Sequence, residues 1–156
     1  MKFTAISTIF LATGSAIAAP SSMKRATTFK PIIIQNWSAE NYSNFNRGTM
    51  VFAMNDPNAN TSTDCSVTWE YGLDPPKSTM VKCNDDTYEF GFLGPITSID
   101  DFSLKVARSD GTWSGQYSVN SKGEDWECKN FAHGAFSEKC DWVGALNLGV
   151  IPPNAS

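Results

Sequence analysis

Few groups in this chain can do chemistry, and their spacing limits what they can do. Three couples of acids are adjacent in sequence, Asp85-Asp86, Asp100-Asp101 and Glu124-Asp125. Paired carboxylates hydrolyse glycosides when they stand about 5 to 9.5 Å apart across one cleft. Neighbouring residues on a strand point to opposite faces, so each couple sends at most one carboxylate into a shared cleft. The single histidine, His133, sits between Phe131-Ala132 and Gly134-Ala135, and no GxSxG elbow occurs anywhere. A Ser-His-Asp or Cys-His site needs that histidine beside an activated nucleophile, and nothing nearby supplies one. The reading assigns no catalytic residue and expects no cofactor.

Loop acids suit a hard cation better than hydrolysis, because calcium wants several oxygens at once. Asn84-Asp85-Asp86 and Asp100-Asp101 can supply them if both lie at one end of the fold, although no EF-hand spacing exists. No metal is assigned, and Asn84, Asp85 and Asp86 are kept as a surface contact for a partner or a cation. Five tryptophans raise a different chemistry, stacking on sugar rings. An indole offers a large apolar face with a polar N–H, which serves cores and binding surfaces alike. Trp69 and Trp113 share strand faces with other apolar residues and read as core. Trp37, Trp126 and Trp142 are open to either use, so a module binding cell-wall polysaccharide is the alternative to a protein-binding function.

The four cysteines, Cys65, Cys83, Cys128 and Cys140, read as two disulfides, for which three connectivities exist. No CxxC pair is present, which argues against a thiolate metal site. Sequential pairing, Cys65 to Cys83 and Cys128 to Cys140, is preferred. It asks only that each pair face across neighbouring strands, the first stapling a hairpin whose turn holds Pro75-Pro76.

The N-terminus sets the compartment. A positive start at Lys2, an uncharged apolar run over Phe3 to Ile17 and the small-x-small Ala16-Ile17-Ala18 read as a secretory signal peptide over 1–18. A dibasic Lys24-Arg25 offers a second cut, which makes 19–25 a propeptide and 26–156 the secreted domain. Removing Lys2, Lys24 and Arg25 with no acid takes the net charge from −4 to −7. That sign repels phosphate backbones, so nucleic acid is not an expected partner. No stretch reaches the ~20 apolar residues of a membrane helix. Sequons at Asn36, Asn41 and Asn60 are candidate glycosylation sites, with a fourth at Asn154 too near the C-terminus to weigh much.

The elements that must position these groups read as strands. Val67, Trp69 and Tyr71 alternate with polar residues, as do Tyr88, Phe90 and Phe92, then Phe102, Leu104 and Val106. Trp113, Tyr117 and Val119 continue the pattern, and Ile32–Ile34, Met50–Met54 and Trp142–Ile151 read as further strands. Ser38 to Phe45 reads as one helical turn. Turn chemistry separates the runs at Asn55-Asp56-Pro57-Asn58, Asp74-Pro75-Pro76, Gly94-Pro95, Ser109-Asp110-Gly111 and Lys122-Gly123. About eight short strands in one domain's length imply an all-β, single-domain antiparallel β-sandwich or barrel with two disulfides.

Within that frame come "TDCSVTWEY", "MVKCNDDTYEFGF", "DWECKNFAHGAFSEKC" and a closing "DWVGALNLGVI". In order and spacing, over about residues 29 to 151, the chain resembles the Alternaria major-allergen family, which includes fungal hypersensitive-response elicitors. Where members carry a glycine-rich Arg-Ala-Gly stretch after the third cysteine, this chain has Lys129-Asn130-Phe131-Ala132-His133-Gly134. The resemblance implies a compact β-fold, no established catalytic residues, and a role outside the fungus. That role is allergen behaviour, or binding of a host extracellular protein that ends in plant defence and local cell death. An acidic surface would steer such a protein toward basic partners. Neither the host target nor the oligomeric state follows from the sequence.

Overall fold

The computed structural model describes residues 29–71, 80–120, 123, 125–132 and 136–152. The leader over 1–18, the segment 19–25, the Pro75-Pro76 turn, Glu124, His133 and Asn154 lie outside the described residues. Ten strands run in chain order: β1 (Ile32–Tyr42), β2 (Arg47–Asp56), β3 (Thr61–Glu70), β4 (Val81–Lys82), β5 (Tyr88–Phe92), β6 (Asp101–Arg108), β7 (Ser114–Asn120), β8 (Trp126–Asn130), β9 (Glu138–Trp142) and β10 (Ala145–Leu148). They form two antiparallel sheets. One has the order β3-β2-β1-β9-β8 with β10 also on β1, and the other has the order β4-β5-β6-β7.

The strands read from alternation are present, and the buried residues are the alternating ones: Trp69 on β3, Tyr88 and Phe90 on β5, Leu104 and Val106 on β6, Val119 on β7. Ser38 to Phe45 is different from the expected helical turn. Ser38–Tyr42 finishes β1, and only Ser43–Phe45 form a short 3-10 turn, closed by Asn46 in the left-handed region. The strand was hidden because β1 changes phase. Asn36 has φ +51°, and the register with β2 slips between Gln35 and Ser38. This β-bulge lets Ile32 and Ile34 face inward before it and Trp37 and Ala39 face inward after it. Asparagine tolerates that backbone conformation better than most residues.

The bulge also divides β1 between two partners. Ile32–Gln35 pair with β10, and Ser38–Asn41 pair with β9. Trp37 therefore lies at the branch, where its ring meets Phe52, Phe102, Trp126 and Trp142 at 5.1 to 6.3 Å between centroids. These contacts weld the two sheets into one aromatic core, in which each fully buried large side chain contributes about 1.5–3 kcal/mol.

Both sequential disulfides are formed. The first, however, does not staple a hairpin. β3 pairs with β2 and β4 pairs with β5, so Cys65–Cys83 ties one sheet to the other. Beside it a single backbone bond crosses the same seam, from the Asn84 N–H to the Asp64 carbonyl at 2.9 Å. A second seam is made by Ser114 and Ile151, which exchange backbone hydrogen bonds of 2.8 and 3.1 Å between β7 and the segment after β10. Two seams turn the sandwich toward a barrel.

One buried carboxylate braces these layers. Asp56 is 0 % exposed, and its Oδ1 accepts the Asn58 N–H at 2.8 Å, the Asn58 side-chain amide at 3.0 Å and the Ala59 N–H at 3.3 Å. Its Oδ2 accepts the Tyr88 hydroxyl at 3.1 Å, which reaches across from the other sheet. Buried charge is tolerated only with such full hydrogen bonding.

Candidate functional site

The sequence-predicted acids do not meet. Asp86 and Ser109 are joined at one end of β6, where Tyr88 pairs with Arg108, while Asp100 and Asp101 precede and open the other end of the same strand. The seven steps along this eight-residue strand, at about 3.3 Å each, hold the two groups roughly 23 Å apart, so no joint cation site forms between them. The Asn84-Asp85-Asp86 tip is taken up in its own turn. Asp85 Oδ1 accepts the Thr87 N–H at 3.0 Å, the Asp85 N–H donates to Thr63 Oγ1 at 2.9 Å, and Asp86 pairs with Lys82 at 3.6 Å. Hydrogen bonds from Thr87 hold the Asp85 carboxyl below its ordinary range.

The tryptophans do not form a surface platform either. Trp37, Trp69, Trp113 and Trp126 are buried, and Trp142 is half-buried against Trp37. Tyr117 and Trp142 edge a cavity of about 120 Å³ with Ser118, Asn120 and Asp125. That is smaller than the ~300–1,000 Å³ of ordinary ligand pockets.

The partly buried Glu138, Asp100 and Tyr71 gather instead where β1 and β3 end and β9 begins. Glu138 opens β9 opposite Asn41 of β1 and Asn130 of β8. Strand periodicity puts it on the face of Cys140, two residues on. Its carboxylate oxygen and the sulfurs of Cys128 and Cys140 all lie within 4.8 Å of one another. Both sulfurs are spent in the disulfide, so this is not a thiolate metal site as it stands. Burial raises the Glu138 carboxyl above its ordinary range and the Asp100 charge adds to the rise, while a hydrogen bond from Asn41 opposes it. Asp100 accepts a hydrogen bond from the Ser98 hydroxyl. Tyr71 completes the corner: its phenol is pushed up to about 12 by burial, with the Glu138 and Asp100 charges adding.

On the outer face beside this corner lies an exposed aromatic strip. Arg47 stacks over Tyr42 at 5.3 Å, Tyr42 meets Phe136 edge-on at 6.3 Å, and Phe136 meets Phe131 at 4.9 Å. Phe131 is 40 % exposed, and Phe45, in the 3-10 turn between Tyr42 and Arg47, is 69 % exposed. Described residues beside these rings are held by hydrogen bonds. The Asn46 side chain donates to the Tyr71 carbonyl, the Tyr71 N–H returns to the Asn46 carbonyl at 2.8 Å, and Ser137 donates both its N–H and its hydroxyl to the Asn41 carbonyl. The Tyr42 hydroxyl donates to Glu40 at 2.6 Å, which raises its pKa.

Sequence reasoning missed both features. Glu138 carries one usable signal, its i, i+2 spacing from Cys140 in a strand. The aromatic strip carries none, because Tyr42, Phe45, Phe131 and Phe136 come from two connections far apart in the chain.

Among the sequons, Asn36 and Asn60 are exposed, at the β1 bulge and in the β2–β3 turn, whereas Asn41 is half-buried with its side chain on Glu138. No helix among the described residues is long and apolar enough to cross a membrane. No protein-family model, no curated protein and no solved structure matches the chain.

Proposed function

We propose that the protein is a secreted fungal effector or elicitor that acts by binding a host protein outside the cell, through the strip formed by Arg47, Tyr42, Phe45, Phe136 and Phe131. The observation that carries this reading is that Arg47, Phe45 and Phe131 are exposed beside the half-buried rings of Tyr42 and Phe136, with hydrogen bonds holding Asn46 and Ser137 next to them. Exposed aromatic and arginine side chains in one cluster are the composition of interface hot spots. Holding them in place before contact lowers the ordering cost of binding. The leader-like N-terminus, the two disulfides and the resemblance of the cysteine order to the Alternaria major-allergen family support the extracellular role and the host partner.

The test is infiltration of the purified, disulfide-intact protein into leaves of several plant hosts, scoring cell death and oxidative burst. The wild type is expected to act, and the Phe45→Ala/Phe131→Ala variant is expected to lose the response with an unchanged melting temperature. A response that survives in the variant sinks the strip as the contact surface. Inactivity of the wild type on every host, with retention on chitin or glucan lost in Trp142→Ala, replaces the reading with polysaccharide binding.

A further inference from the structure

The two disulfides differ in what they join and in how they are shielded. Cys65 and Cys83 are both buried and tie sheet to sheet. Cys128 and Cys140 face each other directly in the β8–β9 register, which continues on both sides from Trp126↔Trp142 to Asn130↔Glu138. Opening this second bond leaves the strand pairing around it in place. Cys128 is half-buried and Cys140 is wholly buried, so the two sulfurs are unequal. Glu138 stands beside this bond, and among the described residues no acid stands in the same way beside Cys65–Cys83.

We propose that Cys128–Cys140 is a thiol–disulfide exchange site for small external thiols, in which Glu138 passes a proton to the departing Cys140 sulfur. The external thiol, having lost its proton to solvent, attacks Cys128 Sγ. The Cys128–Cys140 bond breaks and its electron pair leaves on Cys140. A buried thiolate is costly without a counter-charge, so the proton from Glu138 makes Cys140 the better leaving group and leaves a carboxylate that solvent reprotonates. A second external thiol, its proton lost to solvent, then attacks the sulfur of the first, and the mixed disulfide breaks with its electron pair leaving on Cys128 Sγ, which takes a proton from solvent; the products are the external disulfide and two protein thiols. Two electrons pass from two external thiols to the protein disulfide.

The surroundings favour the proton donor. Burial and the Asp100 charge keep Glu138 protonated to higher pH than a free carboxyl, and Tyr71 faces it as a neutral phenol. Asn41 faces it from β1. Lys129 and Lys139, the cations of β8 and β9, alternate to the opposite face of their strands, and Lys139 is held by Asp141 at 3.3 Å. This site is independent of what the aromatic strip binds.

The test is incubation of the folded, oxidised protein with reduced glutathione from pH 5 to pH 8, quenching with an alkylating agent and mapping of each cysteine by mass spectrometry. Cys128–Cys140 is expected to open at least about tenfold faster than Cys65–Cys83, with the glutathione adduct on Cys128. In Glu138→Gln the opening is expected to slow at least about tenfold near pH 5, with the gap to wild type closing toward pH 8 as Glu138 ionises. Asp100→Asn keeps the carboxyl but removes the charge that holds its proton, so the same decline shifts to lower pH. Equal opening of both bonds, an adduct on Cys140, or a Glu138→Gln profile that matches wild type overturns the proposal. If Glu138→Gln does not fold, an Asp100→Asn profile identical to wild type overturns it as well.

Discussion

Replacing Cys65 and Cys83 together with alanine tests whether the first disulfide is a seam between sheets. The two residues are 18 apart in sequence. Loop closure of that length removes unfolded-state entropy on the order of 3 kcal/mol at 25 °C. For a domain of this size, that corresponds to a fall in melting temperature of roughly 10 °C. Alanine is the right replacement because both positions are buried and a serine hydroxyl would add its own desolvation cost. Urea unfolding followed by tryptophan fluorescence gives the stability change, and the m-value should rise because the released chain exposes more surface. The seam makes a sharper demand. With the sulfur bridge gone, the Asn84 N–H to Asp64 carbonyl bond remains as a backbone tie at that edge. Its amide should exchange faster with solvent while the β8–β9 amides keep their protection. A melting point within about 3 °C of wild type refutes the entropic estimate. Unchanged exchange at Asn84 refutes the seam.

Tyr88→Phe removes the hydroxyl that donates to Asp56 Oδ2 and leaves a buried carboxylate oxygen short of that partner, which should cost about 1.5–3 kcal/mol in chemical denaturation. Gly48→Ala drives a Cβ into the buried Trp69 ring, a clash expected to cost about 1–3 kcal/mol and to shift the Trp69 near-UV signal. Glu138 has a raised folded-state pKa, so the native chain holds that proton more tightly than the unfolded chain and stability falls as pH rises through the carboxylate range. Glu138→Gln should therefore raise the melting temperature at pH 7 and leave it unchanged near pH 3, where both states are protonated. Peptide mapping after secretion from a eukaryotic host should find glycan on Asn60, which is exposed in a turn, and none on Asn41, whose side chain is committed to Glu138.

How much was legible follows the physics of each element. Strands with one apolar face announced themselves: Phe102, Leu104 and Val106 alternate in sequence and are buried in the fold. β8 and β9, "WECKN" and "EKCDW", lie at one edge of their sheet with charged outer faces, so little but their cysteines marked them. β1 was half legible, because the bulge at Asn36 moves the inward set from Ile32 and Ile34 to Trp37 and Ala39 and breaks the period of two. The disulfide pairing was readable from order along the chain, yet what Cys65–Cys83 joins was not, since strand neighbours are a long-range property.

The same limit applies to the acids. Adjacent acids attract attention in a sequence, but alternation sends them apart, and here Asp85 caps its own turn while Asp86 pairs with Lys82. The acids that influence each other, Asp100 and Glu138, are distant in sequence, one in the segment before β6 and the other at the start of β9. Only a closed fold brings such groups together, and it does so where strands end and water is partly excluded. The seam at Cys65–Cys83 holds the layers, so the corner at Cys128–Cys140 is free to carry a perturbed acid and a half-exposed sulfur. A scaffold with two disulfides can thus give one to stability and the other to chemistry, and the position of Glu138 tells them apart.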